Sequence, residues 1–226
     1  MIKRLNNLYI IGTSHIARQS INEVQDVILN HRPKVVALEL DQRRFVSLMS
    51  PKRKIRLGDI KHLGIRGFLF NILGAYVEKK LGEIVNTQPG SEIKKAVECA
   101  SKSGSRIALI DQDIAITLRR LTRTLTWKEK FQFLKDVLSA LFHRKRKMRI
   151  DLTKVPDERI ISRMTNEVRK KYPSVYKVLI EERNVYMGKA LNKILSEYPD
   201  DVVVAVVGAG HVEGITKILK KHESRA

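Results

Sequence analysis

Two turns in this chain share one pattern. Gly12-Thr13-Ser14-His15 follows the apolar run at 8–12, and Gly208-Ala209-Gly210-His211 follows the apolar run at 201–208. Each sets a histidine three residues past a glycine, between a strand-like segment and a helical pattern. Carboxylates stand past the other two strand-like runs. Glu39 ends 34–40, with Asp41, Arg43 and Arg44 close behind, and Asp111 and Asp113 follow 106–110. Two imidazoles with one or two carboxylates are a donor set for Zn²⁺, Mn²⁺, Fe²⁺ or Co²⁺ with positions open to water. Such a bound water becomes a nucleophile near neutral pH. Glycine ahead of each histidine lets the backbone turn sharply and come close to a ligand. A helix N-terminus beside His211 disfavours imidazolium and leaves the neutral ring that a metal needs.

Plainer readings compete. A single histidine after a strand is an ordinary turn residue. Glu39 alone would pair with Arg43 or Arg44, and Asp113 is best read as a helix cap. His31, His62, His143 and His222 lie in polar or basic surroundings and read as surface. The segment GAGHVEG is close to a dinucleotide fingerprint. That fingerprint needs an acidic residue on a following strand about 20 positions on. The sequence has no room for one, so nicotinamide and flavin sites are set aside. A phosphate-bearing substrate stays open, with Gly12, Thr13, Ser14, Gly208 and Gly210 on the substrate or anion side.

The elements that must position these residues follow from periodicity. Runs at 8–12, 34–40, 106–110 and 201–208 are short, β-branched and apolar on both faces, as parallel strands covered by helices are. Helical patterns are expected at about 65–86, 91–102, 113–125, 127–143, 156–171, 174–197 and 212–221. Ser20 with Glu23, and Thr126 with Glu129, have capping-box spacing. The expected fold is α/β: a small, mainly parallel sheet of about four core strands flanked by helices. A large helical insertion separates the third strand from the fourth. Residues 1–226 read as one domain, with 1–112 and 198–226 as the core and 113–197 as the insertion. In such sheets ligands bind at the carboxyl ends of the strands, where all the residues above converge.

Charge sets the second theme. The 44 Lys+Arg against 24 Asp+Glu give a formal net charge of +20. Basic residues concentrate at 119–149 and at Lys52, Arg53, Lys54 and Arg56. That field suits an anionic membrane surface or a nucleic-acid backbone. The aromatics read as few and apart from the charge, which argues against a base-stacking platform. The lone cysteine, Cys99, excludes an intrachain disulfide and a cysteine-cluster metal site. No signal peptide and no spanning run is read; the apolar stretch 63–77 is broken by Arg66. The expected location is cytoplasmic, with peripheral membrane contact as the alternative.

Taken in order, the Gly-x-x-His pair, ALELDQRR, PGSEIKKAVECA, LIDQDIAITLRRL, LIEERNVYM and VVGAGHVEGI resemble the TraB/Tiki family, which includes pheromone-shutdown and Wnt-inactivating members. The resemblance covers nearly the whole chain and is weakest across 50–64 and 143–160. It implies a metal-dependent, peptidase-like fold whose histidines and glutamate are associated with metalloprotease activity favouring Mn²⁺ or Co²⁺. The matching positions are His15, His211 and Glu39. Arg44 matches an arginine five residues after that glutamate, and Glu182, Arg183 and Asn184 match an ERN segment on a long helix. Gln112 stands where an Asp-Arg-Asp segment has arginine. Many prokaryotic relatives continue into membrane-spanning helices, which the sequence read here lacks, and relatives assemble, which makes a homodimer plausible.

The expectation is therefore a metal-dependent hydrolase acting on a peptide or protein, with Mn, Co or Zn as the metal. His15 and His211 are the ligands, and Glu39 is ligand or general base. Asp111 or Asp113 completes the shell, Arg44 or Arg183 steadies an oxyanion, and Glu182 lies on the substrate side. The alternative is a non-catalytic peptide- or anion-binding protein that docks through its basic face.

Overall fold

The computed structural model describes residues 1–13, 18–50, 90–142 and 158–223. The expected helix at 65–86, His15, Ser14, His62, His143, the basic cluster at 52–56 and the basic run from 143 to 149 lie outside them. The fold is mixed α/β, with a five-stranded sheet in the order β1-β2-β5-β3-β4. The strands are β1 (Ile2–Leu5), β2 (Leu8–Thr13), β3 (Val35–Leu38), β4 (Arg106–Leu109) and β5 (Val203–Gly208). All pairings are parallel except β1 with β2. The four expected strands are present. β1 was not expected: it is a four-residue edge strand of alternating exposure whose two charged residues mask the pattern.

The last strand occupies the centre. β5 lies between β2 and β3, so the first two of the expected strands are not neighbours. All six β5 positions are buried. Val203, Ala205 and Val207 pack on one face with Met187, Leu191, Val212 and Ile215. Val204 and Val206 pack on the other with Val24, Ile28, Ile93 and Ala96. This period-two split is what a strand covered on both faces requires. Each β5 valine contributes about 1.5–3 kcal/mol by burial.

Helices cover both faces. α1 (Arg18–His31) and α3 (Ser91–Ser103) lie on one side, and α8 (Glu182–Glu197) and α9 (Ala209–Glu223) on the other. Ser20 lies buried inside α1, so the expected capping box there does not form; Glu23 instead pairs with the Met1 amino group at 2.5 Å. A short helix not expected from sequence, α2 (Gln42–Met49), follows β3, with Asp41 as its N-cap. Between β4 and β5 come α4 (Ile114–Thr124), α5 (Trp127–Phe142), α6 (Glu158–Lys171) and α7 (Pro173–Tyr176). α7 passes through a π-helical turn, Lys177–Glu181, into α8. The Thr126–Glu129 capping box forms in full, and Pro173 starts α7 as expected. No helix among the described residues is long and apolar enough to cross a membrane.

Candidate functional site

The described start of the first Gly-x-x-His segment, Gly12-Thr13, is brought against the start of the second by strand pairing. Thr13 pairs with Gly208 and Gly12 with Val207, so the motifs leave adjacent strands at the same sheet edge, one residue out of step. His211 falls in the first turn of α9, because that helix starts at Ala209 rather than at 212. Gly12 keeps an ordinary strand backbone, so a sharp turn is not its role. A Cβ there would collide with Val212 and Met1, so glycine lets β2 press against α9. Gly210 faces open space.

Around that edge a buried polar cluster forms. Glu39, one residue past β3, accepts from the Gly208 amide at 2.5 Å and pairs with the Arg183 guanidinium. Arg183 also donates to both oxygens of Asp111, at 3.0 Å from Nε and 2.7 Å from Nη2, and its Nη1 lies 3.1 Å from His211 Nε2. Arg44 reaches from α2 to Asp41 at 2.6 Å and to Asp111. Arg44 therefore serves Asp41 and Asp111, and the Glu39 partner is Arg183, not Arg43 or Arg44. Burial alone would raise Asp111, but the Arg183 and Arg44 guanidiniums outweigh it and hold the carboxyl below its usual range. Burial likewise would strip Arg183 of its proton; Asp111 and Glu39 reverse that and hold its pKa above the usual value.

His211 is oriented from behind. Its Nδ1 lies 2.7 Å from Asn184 Oδ1. The Arg183 guanidinium can only donate, so its contact makes Nε2 an acceptor and puts the ring proton on Nδ1, toward Asn184; Nε2 also lies 3.4 Å from Glu39 Oε1. A carbonyl partner behind the ring is the arrangement that prepares a histidine to ligate. Gly214 makes room for it, since a Cβ there would overlap the Asn184 amide. The π turn shifts the helical phase just before Arg183 and Asn184, and π turns often occur where function needs side chains re-aimed. Arg183 Nη1 also donates to the Leu179 carbonyl of that turn, at 3.2 Å.

Other expected site residues fall elsewhere. Asp113 caps α4, accepting from the Ala115 amide at 2.7 Å, and meets exposed Arg43 at 3.4 Å; it does not join the cluster. Glu182 points to Arg120 on α4, paired at 2.6 Å, and not toward His211. Thr13 Oγ1 bonds the Val207 carbonyl at 3.3 Å. Gln112 donates to Thr117 Oγ1 at 3.1 Å, a neutral contact where a charged residue was the alternative. His31 is exposed and stacks on Tyr9, and His222 is exposed, as expected. Asn184 and Asp41 were noted in the sequence, within the ERN segment and beside Glu39, but were given no role. Asn184 adjoins Arg183 in the ERN segment, and Asp41 precedes a helix as a cap should.

Three carboxylates (Glu39, Asp41, Asp111) face two guanidiniums (Arg44, Arg183), a formal excess of one negative charge. His211 Nε2 and Glu39 are donors that fit a divalent transition metal. Among the described residues no group of three or more His, Cys, Asp or Glu is grouped to hold one. A cavity of about 420 Å³ is lined by Asn184, Gly210, Gly214, Arg169, Tyr176 and Ile161 among others; it meets Asn184 but not Glu39, Asp111, Arg183 or His211.

Known proteins fit this arrangement into a family. An uncharacterized protein of Methanocaldococcus jannaschii is 40% identical over 224 residues, covering 96% of this chain and 54% of that protein. TraB domain-containing proteins of mouse and human are each 26% identical over 244 residues, covering 94% of this chain and 62% of theirs. The chain thus spans between half and two thirds of the length of these relatives. A model of the TraB/PrgY/gumN family matches residues 2–226, and the chain belongs to that family.

Proposed function

We propose that this chain is a metal-assisted hydrolase of peptide-like substrates, with its reacting groups at the sheet edge between β3 and β5. The observation that carries this reading is the placing of His211, with Nδ1 2.7 Å from Asn184 Oδ1 and Nε2 3.4 Å from the Glu39 carboxylate. In this reading His211 is a metal ligand, Glu39 is a ligand or the general base, and His15, which follows β2 in the sequence, is the second histidine ligand. A divalent metal held there would lower the pKa of a bound water and so supply a nucleophile near neutral pH. Glu39, where it is not a ligand, would take the proton of that water. Arg183, fixed by Asp111 with its Nη1 beside His211, would steady a developing oxyanion from where it already stands. Arg44 keeps Asp111 anchored and so holds Arg183 in place. Residues 1–112 and 198–226 form the core carrying the site, and 113–197 is an insertion that lends Arg183 and Asn184.

One observation favours the non-catalytic reading. Arg183 already satisfies Glu39, Asp111 and His211, and no buried side-chain polar atom among the described residues lacks a partner. A lock of that kind also suits a pocket that binds a peptide carboxylate or another anion. The deciding experiment is cleavage of a mixed peptide library with Mn²⁺ or Co²⁺ added, read by mass spectrometry. The hydrolase reading expects cleavage that falls at least about 100-fold in Glu39→Gln. Cleavage at the same rate in that variant, or none by the wild type, removes the hydrolase reading.

A further inference from the structure

Among the described side chains of helix α5, which lie in its first ten residues, the polar ones turn inward and the rings outward. Glu129, Gln132 and Asp136, spaced three and four apart, meet the rest of the chain, Asp136 also pairing with Lys171 at 2.5 Å. Glu129 accepts from the Ser174 amide at 2.7 Å, and Asp136 accepts from Gln132 at 2.9 Å and from the Tyr172 hydroxyl at 2.5 Å. The outward side carries the rings: Trp127, Phe131 and Phe133 are 74%, 67% and 54% exposed. Lys128, Lys130 and Lys135 are exposed beside them, with Lys130 Nζ 4.5 Å from the Trp127 ring centroid. Amphipathic helices of water-soluble domains do the reverse. The aromatics are thus interleaved with charge here, contrary to the sequence reading.

We propose that α5 docks on an anionic lipid surface, its rings entering the interface and its lysines meeting the headgroups. Rings flanked by lysines are the pattern of a helix lying in that plane, and tryptophan prefers that depth. Charge selects the occupant. A chain of net charge +20 repels a second copy of itself and attracts an anionic layer. Lysines alone would serve a nucleic acid equally well. The rings sit on a convex helix, however, not in a groove that tracks a strand. This inference is independent of the hydrolase reading, because α5 contributes nothing to the cluster around Glu39.

Trp127 is the only tryptophan, so the intrinsic emission of the whole chain reports on this helix alone. The test adds vesicles of phosphatidylcholine, alone or mixed with phosphatidylserine, including brominated versions. The expected result is a blue shift and bromine quenching with the anionic vesicles only, weakened by salt. Lys128→Gln, Lys130→Gln and Lys135→Gln each lower partitioning about fivefold, and Phe131→Ala lowers vesicle co-sedimentation while circular dichroism is unchanged. The wild-type reading depends on no variant folding. Emission indifferent to anionic vesicles overturns the proposal. So does a shift caused by DNA or RNA without bromine quenching, or by protein concentration alone with a dimer mass in light scattering.

Discussion

Glu39 and Glu129 are both buried glutamates, and they are held in opposite ways. Glu129 sits where α5 and α7 begin, and its partners are neutral: the Thr126 amide and hydroxyl and the Ser174 amide. Burial alone would raise it, yet those donors bring it down to about 2. It clamps two helix starts and faces nothing reactive. Glu39 takes one backbone amide and otherwise faces an arginine and a histidine at the mouth of the sheet. A buried carboxylate that spends its lone pairs on fixed amides is a staple. One that shares an oxygen between a guanidinium and an imidazole is tied to groups that can themselves exchange protons or ligands.

The largest test of this contrast is Arg183→Ala. It leaves Glu39 and most of Asp111 buried without their cation, and urea denaturation should show a loss of about 3–5 kcal/mol. Arg183→Lys should restore only part, because an ammonium lacks the fork that spans both carboxylates. A loss under about 1 kcal/mol for Arg183→Ala would mean the cluster is wetter and looser than described.

Glu129→Gln comes next, at about 1.5–3 kcal/mol. Its pH signature separates the two glutamates. The folded pKa, about 2, lies below the ordinary 4.5, so its stabilisation is complete above 4.5 and fades as pH falls from there toward 2. The stability difference between wild type and Glu129→Gln should shrink across that window, and a constant difference would break the staple account.

Gly214→Ala is the smallest effect and the sharpest. In an unconstrained helix the change would stabilise by about 1 kcal/mol. Here the new Cβ displaces Asn184 and frees His211 to rotate. Stability should fall instead, and metal affinity, read by titration calorimetry, should drop about 10- to 100-fold. A stabilised variant with unchanged metal binding would show that Asn184 does not orient the ring.

The sheet was legible because its strands are short, apolar and bounded by turn residues. Strand order was not, because nothing in a valine run says that β5 enters between β2 and β3. Glu39, Asp111 and His211 were legible as strand-end residues, and their convergence follows from the parallel sheet. Their partners were misassigned where short sequence spacing was allowed to stand for contact. Glu39 is far in sequence from Arg183 and near to Arg44, yet it pairs with the former. α2 escaped notice because it is only eight residues long, and Phe45 and Leu48, which rest partly buried on the core, are too short a pattern to mark a helix. The inverted character of α5 was missed because its apolar positions fit an ordinary core helix until its polar contacts locate the inward face.

The most direct test of the central claim is metal uptake. The untagged chain, its His211→Ala variant and its Glu39→Gln variant would be equilibrated with Mn²⁺, Co²⁺ or Zn²⁺, desalted, and measured by elemental mass spectrometry. The account predicts close to one equivalent in the wild type and little in either variant. A wild type that takes up none of the three metals would contradict it and leave the Arg183 lock as the natural state of the pocket.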